Sequence, residues 1–238
     1  MNRSIKFFSL VFTIAVALQF FAAWHAGARA SHQDQSKKKL VAVLDFDATD
    51  VGTDVLGDKV DVGKGIAGLL AQQLAKDGNY LVVDSKKMSA DLAEHNFSKS
   101  DRYDYEFAVK LGKRLGADGV ILGSVTLFGK DAHERPVPQD EVIRRKIKAR
   151  VTADARIVDV ATGEIVAVAS GRGESKREGI SLTSGGSTWH DFRSGNSGFD
   201  SREFQETILG EAVNDMVLQL TKALAADASK LTVKTMAH

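Results

Sequence analysis

Apolar residues along this chain follow two spacings, one typical of strands and one typical of helices. Short apolar runs bounded by turn residues indicate buried strands, and apolar residues at every third or fourth position indicate amphipathic helices. Ile66, Leu70 and Leu74, for example, repeat at helical spacing until Gly78. The predicted elements are, in chain order, a strand at 40–46, a helix at 66–78, a strand at 80–84, helices at 86–94 and 105–115, strands at 119–128, 147–157 and 165–170, and a helix at 201–226.

The clearest pattern lies between Ile147 and Ile157, where apolar and polar residues alternate strictly. A period of two indicates a strand with one face buried and the other in water. The segment 159–164 contains a Thr-Gly pair typical of a turn. We therefore expect 165–170 to return beside this strand as the second half of a β-hairpin.

The last predicted helix carries its apolar residues on one stripe. Asp200 and Glu203 at its start have the spacing of a capping box, in which each side chain satisfies a free N–H group of the first turn. The element order is βαβααβββα. We expect an α/β (α+β) fold, in which helices cover a mixed β-sheet and the C-terminal amphipathic helix packs on that sheet.

The first thirty residues have the pattern of a cleaved export signal. Arg3 and Lys6 precede an apolar run at 7–21, and small residues surround a cleavage site near Ala30. The alternative is an uncleaved anchor, although the run is shorter than the roughly 20 residues of a spanning helix. The predicted divisions of the chain are a signal peptide at 1–30, a polar lead at 31–38, an α/β domain at 39–228 with a mobile Gly/Ser-rich loop at 171–198, and a tail at 229–238.

Composition excludes several classes of function. The chain contains no cysteine, so we expect no disulfide, no cysteine-ligated metal and no lipid-anchor cysteine. Removal of Arg3, Lys6 and Arg29 with the signal leaves 29 basic and 31 acidic residues, a net charge of −2. This balance gives no electrostatic reason to expect a nucleic acid partner.

One glycine motif indicates a different function. Gly63, Gly65 and Gly68 have the spacing of a dinucleotide-binding loop, and Asp84 ends the next predicted strand. In that role the first glycine follows directly on a buried strand, whereas the strand at 40–46 ends about sixteen residues earlier. We favour the alternative that small residues let a helix begin close to the sheet.

Other catalytic patterns are missing from the sequence. His95, His133 and His190 stand alone in polar surroundings, without a second metal ligand nearby in the chain. No serine occupies a nucleophile-elbow sequence. We therefore expect no enzyme activity, no catalytic residue, no metal, no cofactor and no small-molecule substrate.

Two segments are candidates for partner binding. Trp189, Phe192 and Phe199 place aromatic rings in or beside the Gly/Ser-rich loop, where they would either anchor a partner or fold back under the loop. The segment 130–148 carries many charges around two prolines. Its simpler interpretation is a solvated connection between two strands.

Three stretches of the chain resemble the family of the curli secretion channel, CsgG. They are LLAQQL at 69–74 with YLVVD at 80–84, LGADGVILGSV at 115–125, and ARIVDVATGEI at 155–165, the most specific of the three. With the terminal helix, the resemblance covers most of the mature chain. It implies a periplasmic α/β domain, and the best-known members form rings in the outer membrane that export amyloid subunits.

The resemblance also implies where channel-forming members add two membrane-spanning β-hairpins, after the third strand and after the fifth. Here these places hold 129–145, which is heavily charged, and 171–198, which is glycine-rich. Neither alternates apolar with polar residues as a spanning strand does. In the channel-forming members, the loop after the first strand narrows the channel with aromatic and amide side chains. The corresponding loop here, 47–62, contains no aromatic residue and no Asn. We expect no transmembrane segment in the mature chain, with any membrane contact limited to peripheral association.

The leading hypothesis is a non-enzymatic, CsgG-like periplasmic component of an outer-membrane secretion, curli or surface-fibre assembly system. It would act as a homo-oligomer or within an outer-membrane protein complex of the cell envelope. One alternative is a regulator resembling the periplasmic activators of penicillin-binding proteins, which share this architecture. A second alternative is a nucleotide-binding enzyme that uses Gly63 to Gly68.

Overall fold

The fold was analysed in a computed structural model, which describes residues 38–49, 51, 61–94, 104–137, 142–182, 199 and 201–232. Residues from Lys38 onward form one compact unit. The predicted signal peptide and almost all of the predicted polar lead lie outside the described residues. They remain predictions.

Five strands form one mixed sheet in the order β2-β1-β3-β4-β5. Strand β1 pairs in parallel with both β2 and β3, whereas β3, β4 and β5 are antiparallel neighbours. The mixed sheet predicted from the sequence is confirmed. The strands are β1 (Lys39–Val43), β2 (Tyr80–Val82), β3 (Gly119–Val137), β4 (Val142–Asp159) and β5 (Ile165–Leu182).

The helices begin and end at capping residues that the sequence supplies. Asp61 accepts a hydrogen bond from the Lys64 N–H at the start of the first helix, and Gly78 ends it in the left-handed conformation with φ 82°. Asp104 and Gly116 do the same for the third helix. The helices are α1 (Val62–Asp77), α2 (Ser85–Glu94), α3 (Tyr105–Leu115), α4 (Arg202–Gln205) and α5 (Ile208–Ala226), followed by a 3₁₀ turn (Ala228–Lys230).

The two faces of the sheet bury separate apolar cores. Val41 and Val43 of β1 contribute to the core under α1 and α5, whereas Ala42 and Leu44 contribute to the core under α2 and α3. This division follows from the strand geometry, because successive side chains point to opposite faces. The sheet therefore lies between two helical layers, with α1 and α5 on one side.

The three antiparallel strands are much longer than the sequence predicted. Strands β3 and β4 continue through most of the charged segment 130–148, so that Val137 pairs with Val142 at the tip of their hairpin. The interpretation of this segment as a solvated connection is therefore wrong. Likewise 171–182 continues β5 as a regular partner of β4, so the predicted mobile loop at 171–198 is wrong for its first twelve residues. The remainder, 183–198, lies outside the described residues.

The C-terminal helix is interrupted where the sequence predicted one continuous helix. Ser201, not Asp200, caps the short helix α4, and Thr207 caps α5 through a 2.9 Å hydrogen bond from the Gly210 N–H. A side chain at Gly210 would lie 2.0 Å from the Phe204 carbonyl oxygen, so the tight turn between α4 and α5 requires glycine there.

The segment predicted as a tail begins inside the domain. Leu231 is 2% exposed and belongs to the core beneath α1 and α5. Thr232 donates two hydrogen bonds to the Asp159 carboxylate, one from its N–H and one from its hydroxyl. The domain therefore continues at least four residues past the predicted boundary at 228.

A buried tyrosine joins the edge strand β2 to the end of α5. Tyr80 is 1% exposed, and its hydroxyl donates a 2.7 Å hydrogen bond to the Leu224 carbonyl. Burial, together with Asp227 and Asp77, raises the pKa of Tyr80, so the hydroxyl keeps its proton at all ordinary pH values. Tyr80→Phe should lower the free energy of unfolding by about 1 kcal/mol, because the ring remains and one buried hydrogen bond is lost. Chemical denaturation would measure this loss, and an unchanged midpoint would contradict it.

Candidate functional site

Phe199 lies in the core of the described fold. Its side chain is 6% exposed, and its ring packs against Phe204 and Phe128, with centroid distances of 4.5 and 6.2 Å. This position corresponds to the alternative in which the ring folds back onto the domain. Trp189 and Phe192 lie outside the described residues, so their role as partner anchors stays a prediction.

The glycines of the dinucleotide-like motif lie within α1 and serve its packing. A side chain at Gly63 would lie 1.9 Å from the Phe46 carbonyl oxygen, and one at Gly65 would lie 2.2 Å from the ring of Phe199. Gly68 has open space around it. Gly63 therefore lets the helix approach the backbone that follows β1 closely, in line with the favoured interpretation, whereas Gly65 makes room for the ring of Phe199. The space that a pyrophosphate would need beside Gly65 is filled by Phe199.

This packing predicts the outcome of a nucleotide-binding test. Millimolar NAD or NADP should leave the melting temperature of the protein unchanged. A ligand at about 100 times its dissociation constant would instead stabilise the fold by roughly 2.7 kcal/mol, a shift easily seen by scanning calorimetry. Such a shift, abolished in Gly65→Asp, would restore the enzyme hypothesis.

A cavity of about 670 Å³ lies beside the ends of β1 and β2, between α1 and α2. Apolar side chains such as Val43, Val82 and Met88 form much of its wall, and Lys64 carries the positive charge among its described lining residues. The first turns of the two bordering helices are already capped. Asp61 accepts a hydrogen bond from the Lys64 N–H of α1, and Asp84 accepts one from the Lys86 N–H of α2. These amide groups are therefore not directed at a ligand.

The three antiparallel strands present a surface of ordered charges, which we call the charged face. Cross-strand partners such as Lys146 and Glu178, or Lys148 and Lys176, lie on the same face of the sheet because they are directly opposite in the ladder. The charged face consists of Asp131, Lys146, Lys148, Arg150, Arg172, Glu174, Lys176 and Glu178.

Glu174 lies at the centre of the ion pairs on this face. Its carboxylate is 2.7 Å from the Lys148 ammonium and 2.6 Å from that of Lys176. Hydrogen bonds from these two lysines lower the pKa of Glu174 to about 2, so it is ionised throughout the physiological range. Lys146 similarly lies 2.5 Å from Glu178. Because these pairs are exposed, each contributes little to stability, and their order makes them suited to recognition.

The opposite face of β5 is packed directly against the backbone of α5. A side chain at Gly173 would lie 1.7 Å from the Ala212 carbonyl oxygen, and one at Gly171 would lie 2.6 Å from that of Met216. Glycine is thus required at two alternating positions of the strand, where the helix approaches most closely. These glycines contributed to the incorrect prediction of a mobile loop.

The outer edge of β5 carries a specific side-chain contact. Gln219 of α5 accepts a 3.2 Å hydrogen bond from the Arg172 N–H and donates one of 2.7 Å to the Arg172 carbonyl. We call this pair of hydrogen bonds the Gln219 clamp. Further along, Glu211 accepts from the Ser175 hydroxyl at 2.6 Å and from the Arg177 guanidinium at 2.5 Å. These contacts fix α5 to the end of the sheet.

The sequence did not predict the residues of α5 that bind β5. Gln219 and Glu211 are polar positions of the predicted helix 201–226 and carry no distinguishing signal in the sequence. The signal that the sequence offered was the presence of glycine at both position 171 and position 173. Two glycines at strand spacing indicate that another backbone approaches closely.

The described histidine and the described helices give no sign of a metal site or of a membrane-spanning helix. His133 is exposed on β3, while His95 and His190 lie outside the described residues. In the part of the chain that the structure describes, no three His, Cys, Asp or Glu side chains are grouped to hold a metal ion. Among the described residues, no helix is long and apolar enough to cross a membrane.

Comparison with known proteins identifies a family. The model of the family described as "Curli production assembly/transport component CsgG" matches residues 26–237. No curated protein sequence matches the chain significantly.

Several solved structures are similar to this chain at low sequence identity. The hypothetical protein CT253 from Chlamydia trachomatis is 16% identical with a TM-score of 0.49, covering 80% of this chain and 98% of its own. Lipoprotein GNA1162 from Neisseria meningitidis is 15% identical with a TM-score of 0.40, covering 63% and 86%. The PelC dodecamer from Paraburkholderia phytofirmans is 13% identical with a TM-score of 0.34, covering 83% and 89%.

Proposed function

We propose, from the fact that this chain belongs to the CsgG family, that it is a non-enzymatic component of an envelope secretion or surface-fibre assembly system. The observation that carries the proposal is the family match over 26–237, nearly the whole chain. The family is one of assembly and transport components, which supports a general role of this kind in the cell envelope. The finer proposal is that the protein is exported to the periplasm and works by associating with itself and with envelope partners.

The described surface supports a binding role. On the charged face, basic and acidic side chains alternate along β5, whereas the side chains from β4 are basic, and such a pattern favours selective recognition over non-specific adhesion. Beside it, β5 is the last strand of the sheet among the described residues, so its outer edge faces away from β4. A strand edge and a patterned charged surface together suit protein–protein contact.

Recovery of partners from detergent-solubilised envelopes tests the proposal. The tagged protein should co-purify with identified components of a secretion or fibre system. Lys148→Ala combined with Lys176→Ala should reduce this recovery, because both lysines of the Glu174 cluster are lost. Leu218→Ala, an exposed position on α5 away from the charged face, should leave recovery unchanged and serves as the matched control.

The same experiment separates the proposal from the regulator hypothesis. Recovery of a cell-wall synthase without any secretion or fibre component would overturn the proposed function. Mass measurement of the purified protein with and without detergent would test self-association independently. A particle that stays monomeric in both conditions would remove the self-association part of the proposal.

A further inference from the structure

The Gln219 clamp occupies backbone groups at the outer edge of β5. The side-chain amide of Gln219 accepts a 3.2 Å hydrogen bond from the Arg172 N–H and donates one of 2.7 Å to the Arg172 carbonyl. Two residues of neighbouring antiparallel strands exchange the same pair of hydrogen bonds, one in each direction. The Gln219 amide therefore binds Arg172 in the way that the backbone of an added strand would.

Glycines on either side of Arg172 bring α5 within reach of this edge. A side chain at Gly173 would lie 1.7 Å from the Ala212 carbonyl oxygen, and one at Gly171 would lie 2.6 Å from the Met216 carbonyl oxygen. Any larger residue at these two positions would hold the helix farther from the strand. The clamp and the two glycines therefore form one arrangement, in which close packing of the helix brings its amide to the strand edge.

The edge of a sheet is where another extended chain can add, through its unpaired N–H and carbonyl groups. The pairing of β4 with β5 has no register shift between Ala167 and Leu182, so the backbone groups of every second residue of β5 face away from β4. An added strand must bind several of these groups in succession. The clamp occupies the groups of Arg172 and so interrupts the series.

We propose that the Gln219 clamp is an autoinhibitory contact, in which the protein's own side chain prevents another strand from adding to β5 at Arg172. Natural sheets protect their edges with prolines, bulges, charges or covering segments. The segment 167–182 contains neither a proline nor a register shift, and the amide of the covering helix takes their place. The proposed function does not rest on this contact, because the charged face lies on the side of the sheet away from α5.

The clamp is not required to hold α5 on the sheet. The helix buries its apolar stripe in the core, and Glu211 in its first turn accepts hydrogen bonds from Ser175 and Arg177 at 2.6 and 2.5 Å. Gln219 and Arg172 are both exposed, and an exposed hydrogen bond adds little net stability. Removing the clamp should therefore leave the fold intact and change the strand edge alone.

Gln219→Ala removes both hydrogen bonds and should increase self-association. Sedimentation velocity over a range of concentrations should show association on the order of tenfold tighter than in the original protein, whose own oligomeric state is the baseline. Asn214→Ala removes an exposed amide from the same helix and is the matched control. Arg172→Pro in the Gln219→Ala background removes the N–H that the first change frees, and it should return association to the baseline.

Hydrogen exchange at the Arg172 N–H, followed by NMR, shows whether the edge is freed. At low protein concentration it should be on the order of tenfold faster in Gln219→Ala than in the original protein. Exchange that stays slow would show that another part of the chain covers this edge, and it would overturn the proposal.

Fast exchange without increased association would also overturn the proposal, because the clamp would then only help to hold α5. The same rejection follows if Asn214→Ala associates as strongly as Gln219→Ala, or if Arg172→Pro leaves the association unchanged. Melting temperatures confirm that every variant is folded. Partner recovery, which tests the proposed function, is a separate measurement and is unaffected by any of these results.

Discussion

Gly173→Ala should destabilise the protein by about 3 kcal/mol, although the same change in an ordinary strand is mildly stabilising. The added methyl group would lie 1.7 Å from the Ala212 carbonyl oxygen and 2.6 Å from its carbon, both in the backbone of α5. A backbone cannot rotate out of the way as a side chain can. Helix α5 must therefore move away from β5, which opens the apolar core between them.

Gly129→Ala is the matched control for this change. Gly129 lies in β3, also on the long antiparallel ladder, and a side chain there would meet nothing within 4 Å. The control should be neutral or slightly stabilising. Equilibrium unfolding in urea would compare the two variants. Equal stabilities would show that α5 does not pack backbone to backbone against β5.

Asp159→Ala should lower the free energy of unfolding by about 3 kcal/mol at neutral pH, because a buried acceptor of several hydrogen bonds is removed. Asp159 is 0% exposed, and one carboxylate oxygen accepts from the Ala161 and Thr162 N–H groups at 2.8 and 3.0 Å. The other accepts from the Thr232 N–H and hydroxyl at 2.7 and 2.6 Å. One side chain thus closes the β4–β5 turn and holds the C-terminal segment against it.

The contribution of Asp159 should depend on pH in a definite direction. Burial opposes ionisation of this carboxyl, but the hydrogen bonds from Thr232, Thr162 and Ala161 outweigh it and lower the pKa of Asp159. A lowered folded-state pKa gives stability that is fully present above the unfolded value of about 3.9. That stability is lost as the pH falls through the folded-state pKa.

Unfolding measured from pH 7 down to pH 2 in the original protein and in Asp159→Asn would test this direction. The difference in stability between the two should be constant above pH 5 and should shrink below pH 4. Thr232→Val, which removes only the hydroxyl, should cost about 1 kcal/mol and keep most of the pH dependence. A difference that grows toward low pH would contradict the assignment.

The element order and the bounds of α3 could be predicted from the sequence because they depend on local signals. Helix α3 begins and ends where the sequence predicted, since Asp104 and Gly116 terminate a clear apolar stripe. The hairpin turn after Asp159 was likewise predicted, and Gly163 adopts the positive φ of 79° that such a turn requires.

The long sheet could not be predicted because its pattern lacks an apolar face. Period-two alternation is visible only when one face of a strand is apolar. On β5 beyond Ser170, the inner face consists of Gly171, Gly173, Ser175 and Arg177, which pack against or bind α5 rather than bury large side chains. Glycine at those positions resembles a flexible loop in the sequence, although it marks close packing in the fold.

The sequence by itself determined the mixed sheet, the order of its elements and the resemblance to the CsgG family, because these depend on hydrophobic spacing and on local caps and turns. Only the tertiary structure decided how far β3, β4 and β5 extend, where Phe199 lies, and which backbone groups of β5 face its outer edge. These features depend on contacts between residues distant in the chain, such as Gln219 with Arg172 and Ala212 with Gly173. The spacing of residues along the chain indicates local structure. It does not indicate which distant residues the fold brings into contact.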